Sequence, residues 1–234
     1  MTGDATGPTR DVGAAVGRVR ERIRAVGGDL QGITLVAVTK GFGPDVVEAV
    51  LAAGVTDIAE SYAQELEAKA ATVAGPRWHY VGRLQANKVR KVAAAVSLWQ
   101  SIDRPELAAE VARRAPGARV LVQLDISGEP TKGGCDEQSA RELVDRSRSH
   151  GLDVAGLMAV GPAGEPERAR PGFRRLARLA DELGLAVRSM GMSGDLEVAV
   201  EEGSTMVRVG RALFGPRPDR PAARPGPPGS PVTG

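Results

Sequence analysis

The stretch Ile33-Thr34-Leu35-Val36-Ala37-Val38-Thr39-Lys40 is a run of apolar and β-branched residues that ends on a lysine, with Gly41-Phe42-Gly43-Pro44 directly after it. Such a run predicts a strand buried on both faces, as parallel sheets contain. A lysine at the exit of that strand stands where α/β folds place ligand chemistry. The chain has five lysines against 26 arginines, and Lys40 alone directly ends a strongly apolar strand. From the strand by itself, a solvated lysine is the stronger reading.

Working outward, strand and helix patterns alternate. Before the run, Asp11 to Val26 carries Val12, Val16, Val19, Ile23 and Val26 at helical spacing, and Gly27-Gly28 stops it. After it, strands are expected at Thr56–Ser61, Trp78–Gly82, Ser97–Ile102, Arg119–Ile126, Val154–Val160, Ala186–Met190 and Thr205–Val209. Helices are expected at Asp45–Ala53, Tyr62–Thr72, Asn87–Ala95, Pro105–Arg114, Asp136–Ser149, Glu167–Leu183 and Asp195–Glu202, with a turn at Ala212-Leu213. Pro171-Gly172 is read as an early interruption of the Glu167 helix. Eight right-handed βαβ repeats close into a barrel; a doubly wound open sheet is the competing arrangement. The fold expected is a single (β/α)8 TIM-type barrel with an extra N-terminal helix. It occupies residues 10–215, between a flexible start at 1–9 and a disordered Pro/Gly-rich tail at 216–234.

Composition narrows the function. The net charge of +2 gives no case for nucleic acid or an anionic membrane. Cys135 is the only cysteine, so it has no intrachain disulfide partner and there is no cysteine metal cluster. Two histidines, His79 and His150, make a histidine metal site an improbable reading, and no metal is expected. No apolar run is long enough to span a bilayer, and Met1 to Pro8 lacks the apolar centre of a signal peptide. A cytoplasmic protein is expected, as a monomer or weak dimer.

The strand ends carry the candidate chemistry. In Gly191-Met192-Ser193-Gly194-Asp195, Ser193 is placed to cap the helix that follows, and a helix N-terminus suits a phosphate. In Arg208-Val209-Gly210-Arg211, Gly210 lets a ligand approach the backbone closely. Both features are read equally well as an ordinary cap and an ordinary turn. A lysine facing a phosphate cup suggests a cofactor with an aldehyde and a phosphate, as in pyridoxal 5′-phosphate. His79, between Trp78 and Tyr80, is read as packed. Cys135 has no histidine near it in sequence and is not read as a nucleophile. Glu60 is a candidate base or a supporting hydrogen-bond partner.

Val36-Ala37-Val38-Thr39-Lys40, Glu60-Ser61-Tyr62-Ala63-Gln64-Glu65, Trp78 to Lys88, Gly156 to Val160, Ser189 to Asp195 and Gly203 to Gly210 follow one another in the order of the pyridoxal phosphate homeostasis proteins. The chain resembles that family from about Val12 to Gly215. The resemblance implies a barrel similar to that of alanine racemase, with pyridoxal 5′-phosphate as a Schiff base on Lys40. It implies that Ser193, Gly210 and the backbone of Arg211 hold the phosphate, that Met192 and Ser61 lie beside the cofactor, and that Arg208 faces the pyridine nitrogen. A guanidinium there disfavours protonation of the nitrogen and weakens the ring as an electron sink. The family usually has Gly-Glu-Asn where this chain has Ala59-Glu60-Ser61, and threonine where Arg211 stands.

The resemblance also implies a role without robust catalysis: buffering the cofactor or delivering it to pyridoxal-phosphate-dependent apo-enzymes. No residue is assigned a catalytic role. An amino-acid racemase is the alternative. Racemases of this fold take a second acid/base, normally a tyrosine, from a further β-domain of the partner chain. This chain is read as having no residues left for such a domain and has only Tyr62 and Tyr80. A barrel that binds another phosphorylated metabolite without a covalent bond is the third reading.

Overall fold

Each apolar run forms a strand, and each amphipathic run folds back over it. In the computed structural model, which describes residues 11–129 and 131–216, the elements follow in the order α1 (Val12–Ala25), β1 (Thr34–Val38), α2 (Pro44–Ala52), β2 (Asp57–Glu60), α3 (Ala63–Ala70), β3 (Arg77–Tyr80), α4 (Ala86–Val92), β4 (Val96–Ile102), α5 (Pro105–Arg114), β5 (Arg119–Leu124), α6 (Glu137–Ser149), β6 (Asp153–Ala159), α7 (Arg170–Glu182), β7 (Val187–Ser189), α8 (Leu196–Glu201), β8 (Met206–Val209) and α9 (Arg211–Phe214). The strands pair in chain order, all parallel, and β8 returns to β1, closing an eight-stranded barrel of the TIM type. The expected start at 1–9 and the tail beyond Pro216 lie outside the described residues.

The strand period of two sorts the core into two layers. Val36, Ala59, Leu98, Leu121, Met158 and Met206 pack inside the barrel. Alternate residues such as Ala37, Ile58, Val120 and Val207 face outward and pack with the helices. Helix starts follow local chemistry. Asp11 accepts the Ala14 N–H at 2.9 Å, Asp136 accepts the Ser139 N–H at 2.7 Å, and Pro105 occupies the first turn of α5. Proline also corrects one expectation. Pro171 lies in the first turn of α7, where its missing N–H costs nothing, so it starts that helix rather than interrupting it. A 3-10 turn, Pro166–Ala169, fills the segment before it.

The lumen is not wholly apolar. Asp57, which opens β2, takes two bonds from Arg77, at 3.0 and 2.5 Å, and stands 3.2 Å from His79 Nε2. Burial pushes the Asp57 carboxyl up, but the hydrogen bonds from His79 and Arg77 outweigh it and hold it at about 2. A carboxyl depressed below its unfolded value stabilises the fold above the unfolded pKa and stops doing so as pH falls through the folded one. Stability is therefore expected to drop by about 2 kcal/mol between about pH 4 and pH 2 on account of this group. Urea denaturation across that range checks it: Asp57→Asn should lose this part of the acid limb, and an unchanged limb counts against the assignment.

Candidate functional site

Lys40 is placed by the residue before it. β1 ends at Val38, and Thr39 is buried with its N–H on the Ala59 carbonyl at 3.1 Å. Thr39 Oγ1 donates to Glu60 Oε1 at 2.6 Å, and Lys69 Nζ donates to the Thr39 carbonyl at 2.8 Å and to Glu60 Oε1 at 2.5 Å. Three buried side chains thus clamp the chain one residue before Lys40. Glu60 is therefore a supporting partner, and burial pushes its carboxyl up against the opposing effect of Lys69. Gly41, at φ 81°, then turns the chain, and its N–H bonds to Glu65 Oε2 at 2.7 Å.

Across the barrel mouth, Lys40 shares a cavity of about 900 Å³ with Met192, Ser193, Arg208, Gly210 and Arg211. These six of the seven expected site residues come together. The seventh, Ser61, lines an adjoining cavity of about 880 Å³ on the other side of Lys40, with Tyr62, Tyr80 and Arg83. Lys132, between β5 and α6, lines both cavities and is anchored by Glu129 and the Gly161 carbonyl at 2.8 and 2.7 Å.

The expectation for Ser193 needs correction. It does not cap the helix that follows. Asp195 precedes α8, and Ser193 Oγ accepts the Ala212 N–H of α9 at 3.0 Å. The physical reason is the turn: Asp195 Oδ1 accepts the Met192 N–H at 2.6 Å, which folds the loop back and carries Ser193 toward β8. The hydroxyl therefore ties the loop after β7 to the turn after β8. Helix α1 holds the same loop from outside, because Arg22 donates to the Ser193 carbonyl at 3.1 Å and pairs with Glu197 at 2.6 Å. The extra N-terminal helix thus braces the site.

Arg208 forms part of the cavity lining and is itself buried. Its Nη1 donates to the Ser189 carbonyl and hydroxyl, each at 2.7 Å, and its Nη2 to the Ala159 carbonyl at 2.7 Å. Burial lowers its pKa to about 10, which still leaves it cationic at neutral pH. Asp195 also lines the cavity, with Oδ1 already engaged by Met192. The set therefore places a lysine at one end and a hydroxyl and two arginines at the other. This is the donor chemistry that an aldehyde bearing a phosphate and a basic ring nitrogen requires.

Other candidates fall away. His79 is buried between Asp57 and Gln100 and does not line either cavity. Burial pushes the Cys135 thiol up to about 12, with Asp136 and Asp103 adding to the shift, so it is not poised as a thiolate. Tyr80 donates to the Ser61 carbonyl at 3.0 Å; burial, then Glu60 and Tyr62, push its phenol up to about 12. Among the described residues no group of three or more His, Cys, Asp or Glu could hold a metal ion, and no helix is long and apolar enough to cross a membrane.

Comparison with known proteins identifies relatives over most of the chain. Residues 15–218 match the family model described as alanine racemase, N-terminal domain. A pyridoxal phosphate homeostasis protein of Deinococcus radiodurans is 40% identical over 208 residues, spanning 87% of this chain and 99% of that protein. One from Pseudomonas aeruginosa is 36% identical, spanning 88% of this chain and 94% of its own length. The solved structure of PipY from Synechococcus elongatus, with pyridoxal phosphate bound, superposes with a TM-score of 0.78 at 27% identity, covering 87% of this chain and all of that one, 100%. Matched by that family model over residues 15–218 and by these relatives over nearly their whole lengths, the chain belongs to the family of pyridoxal phosphate homeostasis proteins, built on the alanine racemase N-terminal domain.

Proposed function

We propose that this protein binds pyridoxal 5′-phosphate at Lys40 and acts as a carrier and regulator of that cofactor in the cytoplasm, supplying apo-enzymes rather than turning substrates over. The observation that carries this reading is the single cavity that sets Lys40 opposite Ser193, Gly210 and Arg211 with Arg208 in its wall. When bound, the cofactor supplies an aldehyde for a lysine amine and a phosphate for an anion site.

The chain's own residues have separable tasks in this reading. Ser193 and the backbone at Gly210 and Arg211 hold the phosphate end, and the Arg211 guanidinium adds charge where the family usually has a hydroxyl. Arg208 meets the ring nitrogen as a permanent donor and leaves it unprotonated. Met192 packs beside the ring. Ser61 faces Lys40 from the second cavity and offers a hydroxyl. The clamp on Thr39 keeps the Lys40 backbone fixed while its side chain reaches the ligand.

A racemase is the weaker reading. It needs a second acid/base opposite Lys40, yet the Tyr80 phenol is spent on the Ser61 carbonyl and held protonated by burial. Tyr62 lies at the rim, 52% exposed.

One preparation tests both readings. Protein loaded with pyridoxal phosphate, reduced with borohydride and digested should carry the label on the peptide containing Lys40 and on none of the other four lysines. The same loaded protein should leave D- and L-alanine unchanged. Label elsewhere would overturn the assignment to Lys40, and racemisation at ordinary enzyme rates would replace the carrier with an enzyme.

A further inference from the structure

A line of polar side chains crosses the barrel interior and has no task in the reading above. Arg208 Nη1 donates to Ser189 Oγ at 2.7 Å. Ser189 Oγ donates to Gln100 Oε1 at 2.7 Å. Gln100 Nε2 lies 2.8 Å from His79 Nδ1, and His79 Nε2 lies 3.2 Å from Asp57 Oδ1. Gln100 and Ser189 are wholly buried, and Asp57, the most exposed of the five, is 8% accessible.

The donor and acceptor roles follow from the two ends. A guanidinium only donates, so Ser189 Oγ accepts from Arg208 and passes its own proton to Gln100 Oε1. That fixes the amide with its NH2 toward His79, whose Nδ1 must then accept. The ring proton is left on Nε2, facing the carboxylate of Asp57. All four bonds run in one direction, from a buried cation to a carboxylate, and bonds aligned in this way polarise one another. The need for such a line is plain at Arg208. Among the described residues it makes no direct ion pair, and its bonds go to neutral oxygens. They engage Nη1 and one hydrogen of Nη2, which leaves Nε–H and the second Nη2 hydrogen for a ligand in the cavity that Arg208 lines.

We propose that Ser189, Gln100 and His79 form a positioning relay that links Asp57, at the N-terminal end of the barrel, to Arg208 at the ligand end. The relay locks the guanidinium plane and directs its remaining N–H groups at the ring nitrogen of the bound cofactor. This rests on the reading that Arg208 faces that nitrogen. It makes a change at the start of β2 felt in the ligand cavity, through three intervening side chains.

Two variants break the relay with little loss of volume. Ser189→Ala removes the hydroxyl but keeps the backbone carbonyl that also binds Arg208. Asp57→Asn removes the terminal charge at near-constant shape. In the cofactor-free protein, the Arg208 guanidinium resonance, assigned by its absence in Arg208→Lys, reports rotation of the group. Rotation should quicken about tenfold in Ser189→Ala, the loss expected of one charge-assisted bond. It should also quicken, by a smaller factor, in Asp57→Asn. Titrations with pyridoxal phosphate and with its analogue carrying CH in place of the ring nitrogen give the second readout. Ser189→Ala should weaken the first by roughly tenfold and leave the second unchanged. Unaltered rotation in both variants, or equal weakening toward both ligands, would reduce the line to packing and overturn the relay. Arg208→Met separates the underlying reading: if it weakens both ligands equally, Arg208 does not meet the ring nitrogen, and that reading fails even where the rotation data stand.

Discussion

Lys69→Met is expected to cost about 3–5 kcal/mol of folding stability, the usual penalty for stranding one member of a buried ion pair. The side chain of Lys69 is 5% exposed and that of Glu60 is 0% exposed, 2.5 Å apart. Methionine matches the stem of lysine but offers no donor. Glu60 would keep only the Thr39 hydroxyl, and its Oε2 already lacks a hydrogen-bond partner. The pH dependence has a definite sign. Burial already raises the Glu60 carboxyl, and removing the ammonium raises it further. A carboxyl raised in the folded state penalises folding above its unfolded pKa and ceases to do so below it. The gap between variant and parent should therefore narrow as pH falls through the raised folded values toward about pH 4. Pairing Lys69→Met with Glu60→Leu should restore most of the loss, since a buried pair replaced by apolar groups is often neutral. Urea denaturation of the single and double variants decides it: a single-variant cost below about 1 kcal/mol would show that the pair is not carrying the strand end.

The consequence reaches the ligand site, because Lys69 also donates to the carbonyl of Thr39, one residue before Lys40. This pair was only half legible in the sequence. Glu60 stands at the end of a buried strand and so advertises a need for a partner. Lys69 sits with Glu65 and Glu67 on a helix that reads as solvated, and its inward reach is a tertiary fact. The barrel itself was more legible, because each strand is an apolar run punctuated by glycine or proline and the runs number eight. Lys40, Ser193, Arg208 and Gly210 were legible for a related reason: all follow or end such runs, and closure brings strand ends together. The cap at Ser193 was not, because its partner is Ala212, on the far side of a strand. Gln100 and Ser189 left a faint signal. Each is a polar residue at an inward-facing position of a strand, and period two could have exposed them.

Glycine tests how far that kind of reading goes, and Gly156→Ala is expected to be among the most damaging substitutions in the chain. Gly156 lies in β6 opposite Val187 of β7. A Cβ there would stand 1.9 Å from the Val187 carbonyl oxygen and 2.6 Å from its carbonyl carbon. Both are backbone atoms, so no rotamer relieves the clash and the two strands must separate. The place is poorly able to give. β7 has three residues, and its pairing with β8 is a single register pair, Ser189 with Met206. Moving Val187 shifts Ser189 two residues on, and with it the hydrogen bonds that hold Arg208. A cost of about 3 kcal/mol, the upper end of the usual range for overpacking, is expected because only backbone movement can absorb the clash. The folded fraction should also bind pyridoxal phosphate more weakly. Gly17→Ala supplies the contrast. It lies within α1 with nothing within 4 Å of the added methyl, so the same change should stabilise by about 0.5–1 kcal/mol. Thermal or urea unfolding of the two variants should thus give opposite signs, and a mild effect at Gly156 would mean that the β6–β7 seam is looser than its spacing implies. Sequence presents both residues alike, as a glycine inside a regular element. What separates them is the neighbour that closure puts against one and not the other, and in this barrel that neighbour is two residues from the partner of Arg208.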